Sequence, residues 1–322
     1  MVLKDTTISL MNSLGSQRIP FLFIISYDGK DCIIQPLKDI DQEQIKYNFN
    51  GVSNTHPKKR SNDLTIEVNP LSFEQYQQKF DIVKKELQLG NTYLINLTVA
   101  TPLASAHTLE DIYHTTKAKY KLLVKDKFTC FSPEIFVQIK DNAIYSYPMK
   151  GTIKADIPNA SELLLNDEKE TAEHYTIVDL IRNDLNIVSK KVRVNRFKYL
   201  DKLETSKGAI LQMSSEITGE LSPDWHNEIG SIFSKILPAG SITGSPKEST
   251  VNIIAKAEQY DRNYYTGVCG IYDGESIDSA VMIRFVEQQA NQLVYKSGGG
   301  ITSSSKVEKE YEELLQKIYI PS

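Results

Sequence analysis

Short runs of β-branched and aromatic residues recur along this chain with connections of only a few residues between them, and that spacing limits the fold more than any other feature. Strands joined by a tight turn run antiparallel, whereas a parallel pair needs a crossover of a dozen residues or more. FLFIISY (21–27) and DCIIQPL (31–37) flank a DGK turn, and FTCFSPEIFVQI (128–139) and AIYSYPMKGT (143–152) flank Asp141-Asn142. DLTIEV (63–68), TYLINLTVATPL (92–103), VRVNRFKYL (192–200) and ILQMSSEITGEL (210–221) read as further strands, and residues 264–302 as successive strands broken by DGES and QQAN.

Helical patterns cluster between groups of strands. SFEQYQQKFDIVKKELQLGN (72–91) places Phe73, Tyr76, Phe80, Val83 and Leu87 on one face, with Ser72 as N-cap and Gly90 as the stop. A second helix is predicted over 109–124 and a long one over 166–185, with Ala172, Tyr175, Val178, Ile181 and Leu185 as its apolar stripe. Others follow at WHNEIGSIFSKIL, TVNIIAKAEQY and KVEKEYEELLQKI. Regular βαβ alternation and a GxGxxG fingerprint are both missing, which argues against a dinucleotide fold. The pattern predicts an α+β fold with largely antiparallel sheet. No repeat, low-complexity tract or linker divides the chain, so residues 1–70 are expected to form a short strand-rich region packed on the same unit as 71–322.

Composition removes several function classes. Lys and Arg number 37 against 41 Asp and Glu, a net charge of −4. A nucleic-acid binder needs a concentrated basic face, and HPKKR (56–60), set among turn residues, reads as a solvated loop. Cys32, Cys130 and Cys269 are too scattered for a disulfide framework or a zinc site, and fit a reducing compartment. No run approaches the roughly 20 apolar residues of a membrane span, and Asp5 interrupts any signal-peptide core. A cytoplasmic protein without membrane or nucleic-acid partners is expected.

Glu170 and Glu173 lie three apart on a predicted helix, and Glu310, Glu313 and Lys317 repeat the arrangement near the C-terminus. Four carboxylates from two facing helices make a hard oxygen site for Mg²⁺, although each pair alone reads as a solvated helix face. Glu134 and Lys150 fall on strands that pairing would bring together as acid and nucleophile. Arg284, inside the apolar run VMIRF, requires a carboxylate partner, internal or on a ligand. SGGGIT (297–302) and PAGSITGSPK (238–247) read as tight turns able to present amides to an anion. Cys269 reads as a buried structural cysteine, and the five histidines show no triad or zinc pairing.

Taken in order, NTYLINLT, SPEIF, YPMKGT, KETAEHYTIVDLIRNDL, LPAGSITGSPK, YYTGVCGIY, MIRF, GGGIT and EYEELLQK closely resemble the chorismate-utilising enzymes, the family of anthranilate synthase and aminodeoxychorismate synthase component I. The resemblance runs from about Tyr76 to Lys317. It implies large antiparallel sheets packed as a sandwich with helices outside, and 71–322 as the chorismate-binding catalytic region. It implies Mg²⁺ held by Glu170, Glu173, Glu310 and Glu313. Chorismate carboxylates are implied to meet Lys317, Arg284, Tyr265 and the amides of Gly298 and Gly300, with Gly151, Thr152 and Thr243 lining the pocket.

The same resemblance separates the chemistries within the family. Isochorismate and salicylate synthases carry a water-activating lysine where this chain has Leu94, and anthranilate synthases carry alanine where it has Lys150. Lys150 resembles the lysine of aminodeoxychorismate synthases. The implied activity is conversion of chorismate and ammonia to 4-amino-4-deoxychorismate, with Glu134 as acid and Lys150 as covalent nucleophile. Anthranilate synthase component I is the alternative, and a non-catalytic scaffold the alternative of another class. Ammonia would come from a separate glutamine amidotransferase. A nucleophilic Lys150 is expected to have a lowered pKa and the acid Glu134 a raised one.

Overall fold

A computed structural model describes residues 3–56, 64, 66–205 and 208–320; residues 57–60 of the basic run lie outside them. The chain opens with helix α1 (Asp5–Ser16), which the sequence reading did not anticipate, then β1 (Phe21–Ile25), β2 (Cys32–Pro36), β3 (Ile45–Phe49), β4 (Val52–Ser53) and β5 (Ile66–Val68). Helix α2 (Phe73–Gln88) begins at Ser72, whose side chain accepts the Gln75 N–H while Gln75 returns the bond to the Ser72 N–H. β6 (Leu94–Ser105) follows, then α3 (Leu109–Thr115) and β7 (Tyr120–Val124). The predicted helix over 109–124 is therefore one short helix and a strand, because YKLLV pairs with β3 and tertiary pairing overrides local propensity.

β8 (Phe128–Ser132) and β9 (Ile135–Lys140) replace one predicted strand, broken at Pro133. β10 (Ala143–Ser146), β11 (Met149–Lys154), α4 (Ala160–Leu165) and α5 (Glu168–Asn186) lead to a long hairpin, β12 (Lys190–Thr205) and β13 (Gly208–Glu220). α6 (Ile229–Ile236), β14 (Gly244–Ser245) and α7 (Lys247–Glu258) precede four strands, β15 (Val268–Tyr272), β16 (Ile277–Val281), β17 (Phe285–Gln289) and β18 (Gln292–Thr302). Helix α8 (Val307–Gln316) closes the described chain.

Two nine-stranded antiparallel sheets result, one ordered β11-β13-β10-β9-β16-β15-β1-β2 with β12 beside β13, the other β14-β6-β18-β17-β8-β7-β3-β4 with β5 beside β6. Residues before 71 supply strands to both sheets. In β1 every residue is buried, with Phe21, Phe23 and Ile25 facing α6 and its neighbours while Leu22 and Ile24 meet Tyr47, Tyr120 and Phe285 of the other sheet. That two-sided burial explains the unbroken FLFII run. α2, α7 and α8 cover the outer face of β6 and β18. The fold is α+β, a sandwich of sheets with helices outside. On α5, Val178, Ile181 and Leu185 are buried as expected, but Tyr175 is exposed with its ring tilted and 4.9 Å from that of Phe197, and His174 and Ile177 complete the buried stripe.

Candidate active site

A cavity of about 240 Å³ opens between the sheets, walled by Lys150 of β11, Gln212 of β13, Leu94 and Asn96 of β6, and Gly298 and Gly300 of β18. Glu134, Tyr265, Arg284 and Lys317 also face it. β9 and β11 are not neighbours, since β10 and β13 stand between them. Glu134, between β8 and β9, and Lys150 thus face one cavity without the direct strand pairing that the sequence suggested.

Glu134 sits where the chain leaves β8 in one sheet for β9 in the other. Its N–H donates to Ser132 Oγ at 3.0 Å and its carbonyl accepts from the Val281 N–H at 3.1 Å, so the backbone is fixed at both ends. Ser241 Oγ donates to Glu134 Oε1 at 2.7 Å. Burial pushes the Glu134 carboxyl above its ordinary range, and the opposing pull of Ser241, Arg284, Lys317 and Lys150 does not cancel that effect. A carboxyl so placed is suited to giving a proton.

Lys150 lies next to a bulge, where the β11–β13 register shifts between Lys150 and Thr152. Gly151 has φ +74°, and a Cβ there would stand 3.0 Å from Glu170 Oε2. Glycine is therefore required both by conformation and by the approach of α5. Lys150 Nζ is 2.6 Å from Glu173 Oε2. Burial works to lower the Lys150 pKa, but Glu173, with Glu313 and Glu170 behind it, prevails and raises it. This reverses the sequence expectation, because the surrounding carboxylates outweigh desolvation.

The four glutamates arrive from α5 and α8. Glu170 is pushed up by burial, helped by repulsion from Glu173, and Glu310 by burial, helped by Glu313 and Glu173. Burial also acts to raise Glu313, but Lys317, whose Nζ is 2.6 Å from its Oε1, lowers it instead. Among the described residues no three His, Cys, Asp or Glu side chains stand close enough together to hold a metal as placed. Lysine ammonium groups lie among them, Lys169 at 3.6 Å from Glu173 Oε1 in addition to Lys150 and Lys317. The donors are nevertheless all hard oxygens, and burial raises two of them against the pull of nearby lysines, so the set suits a small divalent cation such as Mg²⁺.

Arg284 has φ +52°, and its guanidinium lies 4.9 Å from the centre of the Tyr319 ring. Its Nε is buried without a hydrogen-bond partner, and the group's other contact is with Tyr319 rather than with a carboxylate. A guanidinium facing a cavity with no carboxylate partner is suited to receiving an anion. Lys317 Nζ also donates to the Gly298 carbonyl at 3.0 Å. Tyr265 is buried beside Phe285, and burial raises its phenol well above the ordinary value.

Other expected residues stand differently. Gly298 and Gly300 are not in a turn; they lie within β18, in register with Thr98 and Asn96 of β6. A Cβ at Gly298 would stand 2.5 Å from the Leu97 carbonyl oxygen, so close strand approach, not turn geometry, demands glycine. Thr152 is exposed, and Gly151, Thr152 and Thr243 are outside the cavity wall. Thr243 is fully buried with Oγ1 unpartnered, and its carbonyl accepts the Asn96 N–H at 3.0 Å.

Residues 26–321 match the family described as chorismate binding enzyme. The chain belongs to this chorismate-binding family. An uncharacterized PabA-like protein of Haemophilus influenzae is 49% identical over 310 residues, covering 96% of this chain and 94% of its own. The aminodeoxychorismate synthase component 1 of Bacillus subtilis is 29% identical over 266 residues, and the match spans 78% of this chain but 55% of that protein. MenF, the menaquinone-specific isochorismate synthase of Escherichia coli, superposes with a TM-score of 0.73 at 16% identity, covering 98% of this chain and 81% of that one. At that identity it supports the fold alone.

Within this chorismate-binding enzyme, the cavity gathers Glu134, Lys150, Tyr265, Arg284, Gly298, Gly300 and Lys317, with the four glutamates behind Lys150 and Lys317. Sequence reasoning did not single out Ser241, Asn96 or Ser297. All three line the cavity, and Asn96 Oδ1 and Ser297 Oγ are buried without partners. For Asn96 a signal existed: a lone amide within the apolar run LINL needs a buried reason to be there.

Proposed function

We propose that this chain is an aminodeoxychorismate synthase component I, joining chorismate and ammonia to give 4-amino-4-deoxychorismate. Membership of the chorismate-binding family supports an enzyme acting on chorismate. The observation that carries the finer reading is a primary amine, Lys150, facing the same cavity as a carboxyl raised by burial, Glu134, and a guanidinium with a buried, unpartnered Nε, Arg284.

Arg284 and Lys317 bind the substrate carboxylates, and Tyr265 closes the wall beside them. Lys150 first yields its ammonium proton to the Glu173 carboxylate, 2.6 Å away, and regains it when the cycle closes. Glu134 gives its proton to the C4 hydroxyl as the neutral Lys150 amine bonds to C2, so that water leaves and the ring double bonds shift. Ammonia then bonds to C4, the C2–nitrogen bond breaks to return Lys150, and the Glu134 carboxylate takes up the extra ammonium proton. The sum is chorismate plus ammonia to aminodeoxychorismate plus water. Mg²⁺ held by Glu170, Glu173, Glu310 and Glu313 would offset the substrate's negative charge and satisfy the carboxylates that now hold Lys150. We assign the ammonia to a glutamine amidotransferase partner and the product to the 4-aminobenzoate and folate route.

The purified chain, given chorismate, Mg²⁺ and ammonium, is expected to form aminodeoxychorismate, read by chromatography, and an adduct on Lys150, read by mass spectrometry after quenching. Lys150→Ala is expected to lose both. Anthranilate fluorescence in the absence of any added lyase, or turnover by Lys150→Ala at the wild-type rate, would overturn the proposal.

A further inference from the structure

Ser241 stands in a segment that is unusually well anchored for a connection between helices. The single 3₁₀ turn Gly240–Ile242 follows α6 and precedes β14. A Cβ at Gly240 would stand 2.9 Å from Asp184 Oδ2 and 2.9 Å from Leu180, so the turn lies directly on α5. Asp184, itself buried, accepts Lys247 Nζ at 2.7 Å, and the same ammonium donates to the Ile236 carbonyl at 2.8 Å. One lysine thus ties the end of α6 and the start of α7 to α5. On the other side of the turn, buried Arg262 donates to the Ile242 carbonyl at 2.9 Å. The residue between these two anchors has nowhere to drift, and its hydroxyl reaches Glu134 Oε1.

We infer that Ser241 is a positioning residue for Glu134: it holds Oε1, and so leaves Oε2 as the oxygen that carries the proton into the cavity. Glu134 has its backbone held at Ser132 and Val281, which fixes where the side chain starts but not how its carboxyl plane rotates. Among the described residues Ser241 makes the one direct hydrogen bond to that carboxyl. The other groups acting on it are the cations Arg284, Lys317 and Lys150, which act through space without a hydrogen bond to either oxygen. A hydroxyl donor serves both forms of the acid, since Oε1 accepts whether or not Oε2 holds a proton, and it binds the ionised form more strongly. Removing it has two consequences: the carboxyl plane loses its orientation, and the acid becomes weaker.

This inference rests on the reading of Glu134 as the acid, and the test separates the two. In the ligand-free protein with ¹³C-labelled glutamate, and with Glu134→Gln to assign the signal, Ser241→Ala is expected to raise the pH at which Glu134 titrates. Ser241→Thr, which keeps the hydroxyl, is expected to leave it in place. This readout needs no turnover, so it stands even when chorismate is not consumed; wild-type protein that consumes no chorismate counts against the function, not against Ser241. With turnover, Ser241→Ala is expected to lower kcat about tenfold with little change in KM, and to move the alkaline limb of the pH profile upward. Should Ser241→Ala not fold, Ser241→Cys, of similar volume and a weaker donor, takes its place with the same expectations. An unmoved Glu134 titration, or a Ser241→Thr variant as damaged as the alanine variant, would overturn the assignment.

Discussion

Arg262 offers the most demanding check on how the cavity floor is built. It is almost entirely buried and makes five hydrogen bonds: Nε to Glu258 Oε2 at 2.9 Å, Nη2 to Glu258 Oε1 at 2.6 Å and to the Asn96 carbonyl at 2.7 Å, and Nη1 to the Ile242 carbonyl at 2.9 Å and to Thr266 Oγ1 at 3.3 Å. Arg262→Leu strands Glu258 as a buried unpaired carboxylate, a loss of about 3–5 kcal/mol. Two backbone carbonyls also lose their donor, at about 1 kcal/mol each. The expected total is about 6 kcal/mol, comparable with the whole stability of many domains. Removing the charge as well, in Arg262→Leu/Glu258→Leu, leaves the orphaned carbonyls and the Thr98 N–H that Glu258 accepts at 2.7 Å. The double variant should therefore be more stable than Arg262→Leu alone. Urea unfolding followed by circular dichroism measures the cycle. If the double variant is as damaged as the sum of the singles, the pair is not the coupled unit described here.

Gly298→Ala should fail to fold normally, since its Cβ meets the Leu97 carbonyl oxygen at 2.5 Å, whereas Gly300→Ala should fold and lose substrate affinity, its Cβ being 3.3 Å from Leu94 Cδ1 and 4.0 Å from Lys150 Nζ; thermal unfolding and KM would separate the two. Burial pushes Lys121 down to about 8 from 10.5 while its Nζ donates to the Thr116 carbonyl at 2.6 Å. Between those pH values the unfolded chain keeps a proton that the folded chain has released, so stability should rise with pH across the window and level off at its lowest below about 8. Relative to Lys121→Met, the wild type should gain about 1–2 kcal/mol after discounting for partial exposure, as read by unfolding at pH 7.5 and 10.5.

The sequence reading succeeded where a local pattern and the tertiary demand coincide. The α2 capping residues, the Asp141-Asn142 turn and the carboxylate spacing on α5 and α8 are all short-range facts. It failed where partners distant in sequence decide. Residues 120–124 become a strand because β3 lies beside them, some 75 residues earlier (120 − 45 = 75). SGGGIT resembles a turn until β6 is placed against it, and only then do the glycines become a matter of strand approach. The direction of the Lys150 shift was equally out of reach, because it depends on how closely Glu173 approaches. Ser241 carries no signal of its own; its meaning lies entirely in what lies opposite.

The break at Pro133, where the chain crosses from one sheet to the other, has a consequence for how the molecule comes into being. Glu134 is at that crossing, Lys150 belongs to one sheet, and Gly298 and Gly300 belong to the other. Neither sheet holds the full set of cavity groups, so the candidate site exists only once the two sheets are together. Strand pairs such as β1 with β15 close loops of more than 200 residues (268 − 25 = 243), and long-range pairing of this kind is slow to form. Activity on refolding therefore requires the two sheets to have come together, and strand content alone does not report it.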